Sequence, residues 1–132
     1  MTRSLRRAAV VAAFLSFFSI VGCSDKPVPV YPVHGTVSID GKPLADGQVC
    51  FRTVDTGALE QFEVKNGAFT GRAQAGERRV EIFAFKVRTG NFSGMKGEVQ
   101  ENLIPARYNT NSKLQANVTA EGPNEFAFDL KK

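Results

Sequence analysis

Period-two alternation of apolar and polar side chains is the feature that most restricts how this chain can fold. Val33, Val37 and Ile39 alternate with His34, Thr36 and Ser38, which gives a strand one face for a core and one for water. Asp40-Gly41-Lys42-Pro43 follows as a turn, and Val49 and Phe51 mark a second strand bounded by Gly47. Phe62 and Val64 mark a third. Asn66-Gly67, the dipeptide best suited to a two-residue hairpin, leads to a short fourth strand at Phe69. Ala75-Gly76-Glu77 turns the chain into Arg79 to Val87, whose centre Ile82-Phe83-Ala84-Phe85 is apolar on both faces and predicts a central strand. Leu114, Ala116 and Val118 predict a sixth strand. Gly122-Pro123-Asn124 then turns the chain into a seventh, with Phe126, Phe128 and Leu130 alternating with Glu125, Ala127 and Asp129. Between them, Gly90 to Asn102 reads as a glycine-punctuated loop without periodicity, and Leu103 to Asn109 as an irregular extended segment. From residue 25 onward no stretch has a helical period. Strands at this spacing predict an all-β fold, a seven-stranded antiparallel β-sandwich. About twenty large apolar side chains would fill it, each contributing about 1.5–3 kcal/mol when buried.

The first 24 residues are of another kind. Arg3, Arg6 and Arg7 precede an unbroken apolar run of 14 residues, Ala8 to Val21. A bilayer-spanning helix needs about 20, so the run is short for a permanent anchor and has the length and basic flank of a secretory signal. It ends in Ile20-Val21-Gly22-Cys23, which resembles the lipobox of bacterial lipoproteins. That resemblance implies a signal-peptide helix (residues 1–22) removed on maturation, with Cys23 carrying diacylglyceryl and a fatty acyl group such as palmitate. It implies a membrane-anchored lipoprotein of the cell envelope, facing the periplasm or the exterior. Ser24, rather than an aspartate, after the cysteine favours the outer membrane in that family. An ordinary signal peptide cut after Ser24 and a short uncleaved anchor are the competing readings. Buried acyl chain contributes about 0.8 kcal/mol per methylene, so two or more chains would hold the protein firmly.

Residues 23–32 include Lys-Pro-Val-Pro-Val-Tyr-Pro. Proline fixes φ and disfavours helix in the residue before it, so Asp25 to Pro32 predicts an extended tether of some 25 Å at about 3.1 Å per residue. Residues 33–132 form the expected domain. Of the 17 basic residues three precede Cys23, leaving 14 against 13 acidic ones. A domain with a net charge of +1 and interspersed signs has no electrostatic footprint for nucleic acid. With Cys23 lipidated, Cys50 has no partner for an intramolecular disulfide.

Tyr31 to Phe51, with its Gly-Thr-Val strand, Asp40-Gly41-Lys42-Pro43 turn and Gly47-Gln-Val-Cys-Phe51 strand, resembles the opening of carboxypeptidase regulatory-like domains. Asn66-Gly-Ala-Phe69 resembles their next hairpin, and Ala75-Gly-Glu-Arg-Arg-Val80 the strand after it. Ile104 to Asn109 and Asn124 to Leu130 resemble segments of small bacterial lipoproteins built on this transthyretin-like (prealbumin-like) sandwich. The resemblance implies a fold and a location, in a family known mostly as non-catalytic accessory or envelope domains without cofactors.

No constellation points to catalysis. His34, Thr36, Ser38 and Asp40 share one strand face, but alternate residues lie about 6.6 Å apart. His34 and Ser38 would therefore stand about 13 Å apart, far beyond the roughly 3 Å a base needs to its nucleophile. Transthyretin-like hydroxyisourate hydrolases rely on several histidines and a C-terminal Tyr-Arg-Gly-Ser. This chain has one histidine and closes on Phe128-Asp-Leu-Lys-Lys132. No His or Cys pair has metal-ligand spacing, and no Asp-rich loop has the order of a calcium loop. Sugar recognition normally uses exposed aromatic rings. There is no Trp, and only Tyr31 and Tyr108 offer phenols. Phe92 and Met95, in the presumed 90–102 loop, with Arg107 and Tyr108 just beyond it, are the candidate binding residues. The alternative is that Phe92 and Met95 fold back over an open end of the sandwich. The chain is thus expected to be a lipid-anchored, non-catalytic envelope protein acting as a structural or interaction module. The second expectation is a glycan- or peptide-binding domain using residues 90–109, and a small hydrolase comes third. Expected partners are the membrane, through the lipid, and an envelope protein or glycan.

Overall fold

The computed structural model describes residues 26–132. The signal segment, the lipobox residues Ile20, Val21 and Gly22, and Cys23 lie outside the described residues. The described residues form ten strands: β1 Val30–Ile39, β2 Lys42–Pro43, β3 Asp46–Arg52, β4 Leu59–Lys65, β5 Ala68–Gln74, β6 Gly76–Phe83, β7 Phe85–Phe92, β8 Met95–Asn102, β9 Leu114–Val118 and β10 Glu125–Leu130. A 3-10 turn, Ala106–Tyr108, stands between β8 and β9.

The fold is all-β and sandwich-like. Seven strands run in the order β10-β1-β5-β4-β3-β6-β9, with two-residue β2 attached to β1. They match the seven predicted from alternation. The hydrogen-bonded path is continuous, yet β4 and β5 share only the pair Lys65↔Ala68. The sheet therefore folds there into two layers, β10-β1-β5 and β4-β3-β6-β9. Gly71 on β5 is where they approach closely: a Cβ at that position would lie 2.2 Å from the Phe62 ring on β4.

One pairing departs from the antiparallel expectation, because β10 runs parallel to β1, from His34↔Glu125 to Ile39↔Leu130. Nothing in period-two alternation distinguishes the two directions; each places the same residues inward. The turn before β10 decides it, and that turn is fixed by Asn124. Its side-chain amide donates to the Pro32 carbonyl (3.1 Å) and the Thr119 carbonyl (2.9 Å), while its Oδ1 accepts the Thr119 N–H (2.8 Å). The Asn124 carbonyl then accepts the His34 N–H at 3.0 Å.

The tether is shorter than expected, since β1 starts at Val30, paired with Gln74 of β5. Pro32 is tolerated inside this strand for a geometric reason. Even-numbered residues of β1 turn their backbone toward β10, as His34 does, and β10 begins only opposite His34. The missing N–H of Pro32 therefore faces an unpaired edge.

The core is built from Val33, Val37, Val49, Phe51, Phe62, Val64, Phe69, Val80, Ile82, Val118 and Leu130, together with Phe128 and Ile104. Phe51 is its centre. It is fully buried and meets Phe62 and Phe126 edge-on at centroid distances of 5.2 and 5.5 Å. Two polar residues tie the irregular 103–113 segment to β6. Asn109 donates to the carbonyls of Ile82, Ile104 and Pro105, and Ser112 Oγ donates to the Val80 carbonyl. Buried carbonyls left without such donors would cost about 1–3 kcal/mol each.

Two predicted segments fold otherwise than expected. The Arg79–Val87 strand breaks at buried Ala84: its first half is β6, its second half leaves the body as β7. Residues 90–102 are not a loop but the rest of a hairpin, β7 against β8, paired over all eight positions from Phe85↔Asn102 to Phe92↔Met95.

Candidate functional site

The β7–β8 hairpin forms a two-stranded sheet that pairs with no other strand among the described residues. Its root is latched to the body by Asn102. That side chain accepts the N–H of Ala84 (3.2 Å) and of Ile104 (3.1 Å), and the Leu103 N–H donates to the Ala84 carbonyl at 2.7 Å. Its tip is a two-residue turn with Ser93 at φ 52° and Gly94 at φ 84°. That is the left-handed geometry which matches the twist of a hairpin. Ser-Gly is a weaker signal than Asn66-Gly67, which adopts the same geometry between β4 and β5, and this is why the turn was not legible in advance.

At about 3.3 Å per residue the arm reaches about 26 Å. Two strands have no third layer to cover them, so Phe85, Val87, Met95 and Val99 are exposed. Direction also follows from topology. The chain enters the sandwich where Val30 meets Gln74, β6 starts beside that end at Gly76, and β7 continues from the far end of β6. The arm therefore leaves from the end opposite the N-terminal entry.

At the arm's root lies a trough on the outer face of β4, β3 and β6. Register sets its residues side by side: Cys50 on β3 stands opposite Gln61 on β4 and Glu81 on β6, while Gln48 stands opposite Glu63 and Phe83. Two depressions of about 190 and 230 Å³ share Gln48, Phe83 and Phe85. Phe83 and Phe85 both point outward across buried Ala84 and stack with centroids 5.8 Å apart and planes 13° from parallel. Phe83 backs its neighbour, leaving Phe85 53% exposed. Beside them the Gln61 amide donates to Gln48 Oε1 at 2.5 Å.

The charged groups of the trough are all paired. Lys65 donates to Asp46 Oδ1 at 2.7 Å and lies 3.0 Å from Glu63, which raises its pKa. Glu81 is buried beneath Arg52, whose Nε and Nη2 reach its two oxygens at 3.2 and 3.3 Å, and Arg79 contacts it as well. Burial by itself would raise the Glu81 carboxyl, but the two guanidinium groups outweigh it and hold the pKa below its ordinary value. The Cys50 thiol is pushed up, first by burial and then by the Glu81 charge, with Arg52 opposing. Glu81 is thus held as a carboxylate and Cys50 as a thiol.

The residues expected to bind are not brought together. Phe92 ends β7 and Met95 begins β8, at the arm tip. Arg107 and Tyr108 instead clasp the end of the chain beyond β10. Arg107 Nη2 donates to the Lys131 carbonyl at 2.6 Å, and the Lys131 N–H donates to the Tyr108 hydroxyl at 3.0 Å. The guanidinium lies 5.0 Å from the Tyr108 ring centroid. Arg107 first, then the Lys131 N–H, lowers the Tyr108 pKa. Met95 is exposed and does not fold back over an open end of the sandwich. On β1, His34 faces Glu125 at 3.8 Å and Ser38 bonds Asp129, so each turns to β10 and not to the other.

Sequence reasoning missed the trough. Phe85 read as a central-strand residue, and Gln48, Gln61, Arg52 and Glu81 were given no role. The available signal was the Phe-Ala-Phe spacing followed by seventeen residues, 86–102, with few apolar positions to seat them. Among the described residues there is no cluster of three or more metal-ligating side chains and no helix long and apolar enough to cross a membrane. Neither the known protein families, nor characterised proteins, nor solved structures contain a match to this chain.

Proposed function

We propose that this chain is a lipid-anchored, non-catalytic protein of the cell envelope, of the transthyretin-like, carboxypeptidase regulatory-like kind, and that it works as an interaction module whose contact element is the β7–β8 arm. The observation that carries this reading is the arm itself. Eight residues per strand stand outside the body with apolar side chains exposed on both faces, where a two-stranded hairpin alone is marginally stable. Such an element gains most from a partner that covers it. A lipid on Cys23 would put the membrane at the entry of β1 and send the arm outward, away from the bilayer.

Two experiments test the two halves. Intact mass of the native protein should correspond to a chain starting at Cys23 with acyl groups; a retained leader or an unacylated position 23 overturns the anchor. A photo-crosslinking residue at Val87 or Val99 should trap a discrete adduct in native envelopes, while one at exposed Thr36 should not. Equal yields at all three positions, or none at any, overturn the arm's role.

A further inference from the structure

The trough at the arm's root takes in Phe85, the first residue of β7, but otherwise lies on the body, and it has no occupant in the interaction just proposed. We propose that it is a subsite for an uncharged saccharide, with Phe85 as the platform. Three features of the trough favour this ligand class. The Phe85 ring is half exposed and held flat against Phe83, whose ring is nearly parallel to it. The C–H face of a sugar ring is apolar and weakly positive, which complements the negative face of a phenyl ring. Next to the platform stand the carboxamides of Gln48 and Gln61, each able both to donate and to accept a hydrogen bond, as a hydroxyl requires.

The trough's charge narrows the class. Asp46 and Glu63 share the single Lys65 at one end, and Arg52 and Arg79 share the single Glu81 at the other, so one end keeps one negative charge and the other one positive charge. The two ends offset each other, so the trough as a whole has no net charge to favour an anionic or a cationic ligand. A peptide is disfavoured by the floor. β3 is hydrogen-bonded on both sides, to β4 and to β6, so the backbone offers an extended chain no ladder to join. What remains exposed is a flat ring and amides in a shallow depression, and that suits a polyhydroxylated ring.

The test is calorimetric titration of the purified full chain with defined neutral oligosaccharides: tetramers of β-1,4-glucose, α-1,4-glucose, xylose and N-acetylglucosamine. At least one should bind in about the millimolar range. Phe85→Leu keeps the apolar bulk and removes the flat ring; it should weaken that binding about tenfold or more with an unchanged thermal midpoint. Thr36→Ala, on the exposed face of β1 and outside both trough and arm, should bind as the parent does. No binding by any of the four, or equal binding by Phe85→Leu, overturns the proposal. So does a Phe85-dependent affinity for an unstructured polar peptide that exceeds the affinity for every sugar. Crosslinking from Val87 and Val99 is read with Phe85 in place and sugar binding is read without a protein partner, so failure of either proposal leaves the other to be judged separately.

Discussion

β6 and β7 are each eight residues long, nearly consecutive in the chain, and both extended, yet one is buried and the other bare. In β6, Val80, Ile82 and Glu81 lie beneath other groups because β3 and β9 flank the strand and a second layer faces it. In β7, Phe85 and Val87 stay exposed, since β8 is its one neighbour and no layer lies opposite. The difference teaches that an extended segment acquires a buried face only when something non-local arrives to cover it. The body is held by long-range packing, the arm by its own cross-strand ladder, its tip turn and the Asn102 latch.

The sharpest way to break this comparison is to hollow out the body. Phe51→Ala removes the ring at the centre of the aromatic cluster and should cost about 3–5 kcal/mol, read as a loss of urea midpoint. A cost of the size expected for an exposed residue would mean the two layers are not one core. Next, Asn109→Ala removes the side-chain donor to the Ile82 and Ile104 carbonyls, while the Pro105 carbonyl keeps the Tyr108 N–H, and should cost about 1–3 kcal/mol. It should loosen the 103–113 segment first, visible as faster amide exchange there.

Acid probes the outer face of the body. Because the folded-state pKa of Glu81 lies below its unfolded value, the stability it adds is complete above about pH 4.3. It is lost as pH falls through the lower folded value. Glu81→Gln should therefore be less stable than the parent at neutral pH, and the gap should close in acid. Thermal midpoints measured from pH 7 down to about 3 would show it; a gap constant with pH would mean that Arg52 and Arg79 do not govern this carboxylate.

The smallest effect belongs to the arm. Replacing Lys86–Glu101 by Asn-Gly should change the body's stability by no more than about 0.5 kcal/mol, and in the intact chain the arm's amides should exchange much faster than those of β3 and β6. A large loss of stability on truncation would show that the arm belongs to the cooperative unit after all.

Much of the body was legible because its signals are local. Val33, Val49, Phe62, Val80 and Val118 fall on alternating positions, and Asp40-Gly41 and Asn66-Gly67 turn the chain whatever lies around them. The trough was not legible. Phe83 and Phe85 carry the same alternation as core residues, and the sequence around Gln48, Gln61 and Arg52 contains no sign that they meet. Register brings them together, and register is a relation between strands far apart in the chain.

The sequence by itself determined that this chain pleats, where the body turns, which residues of the seven body strands face inward, and that a basic-flanked apolar run, Ala8 to Val21, precedes Cys23. Only the tertiary structure decided that β10 lies parallel to β1, that the sheet folds at Lys65↔Ala68, and that residues 85–102 stand free. The reason is physical. Alternation and turn chemistry are properties of a few neighbouring residues, whereas strand order, direction and cover depend on which distant segment fills the space beside them.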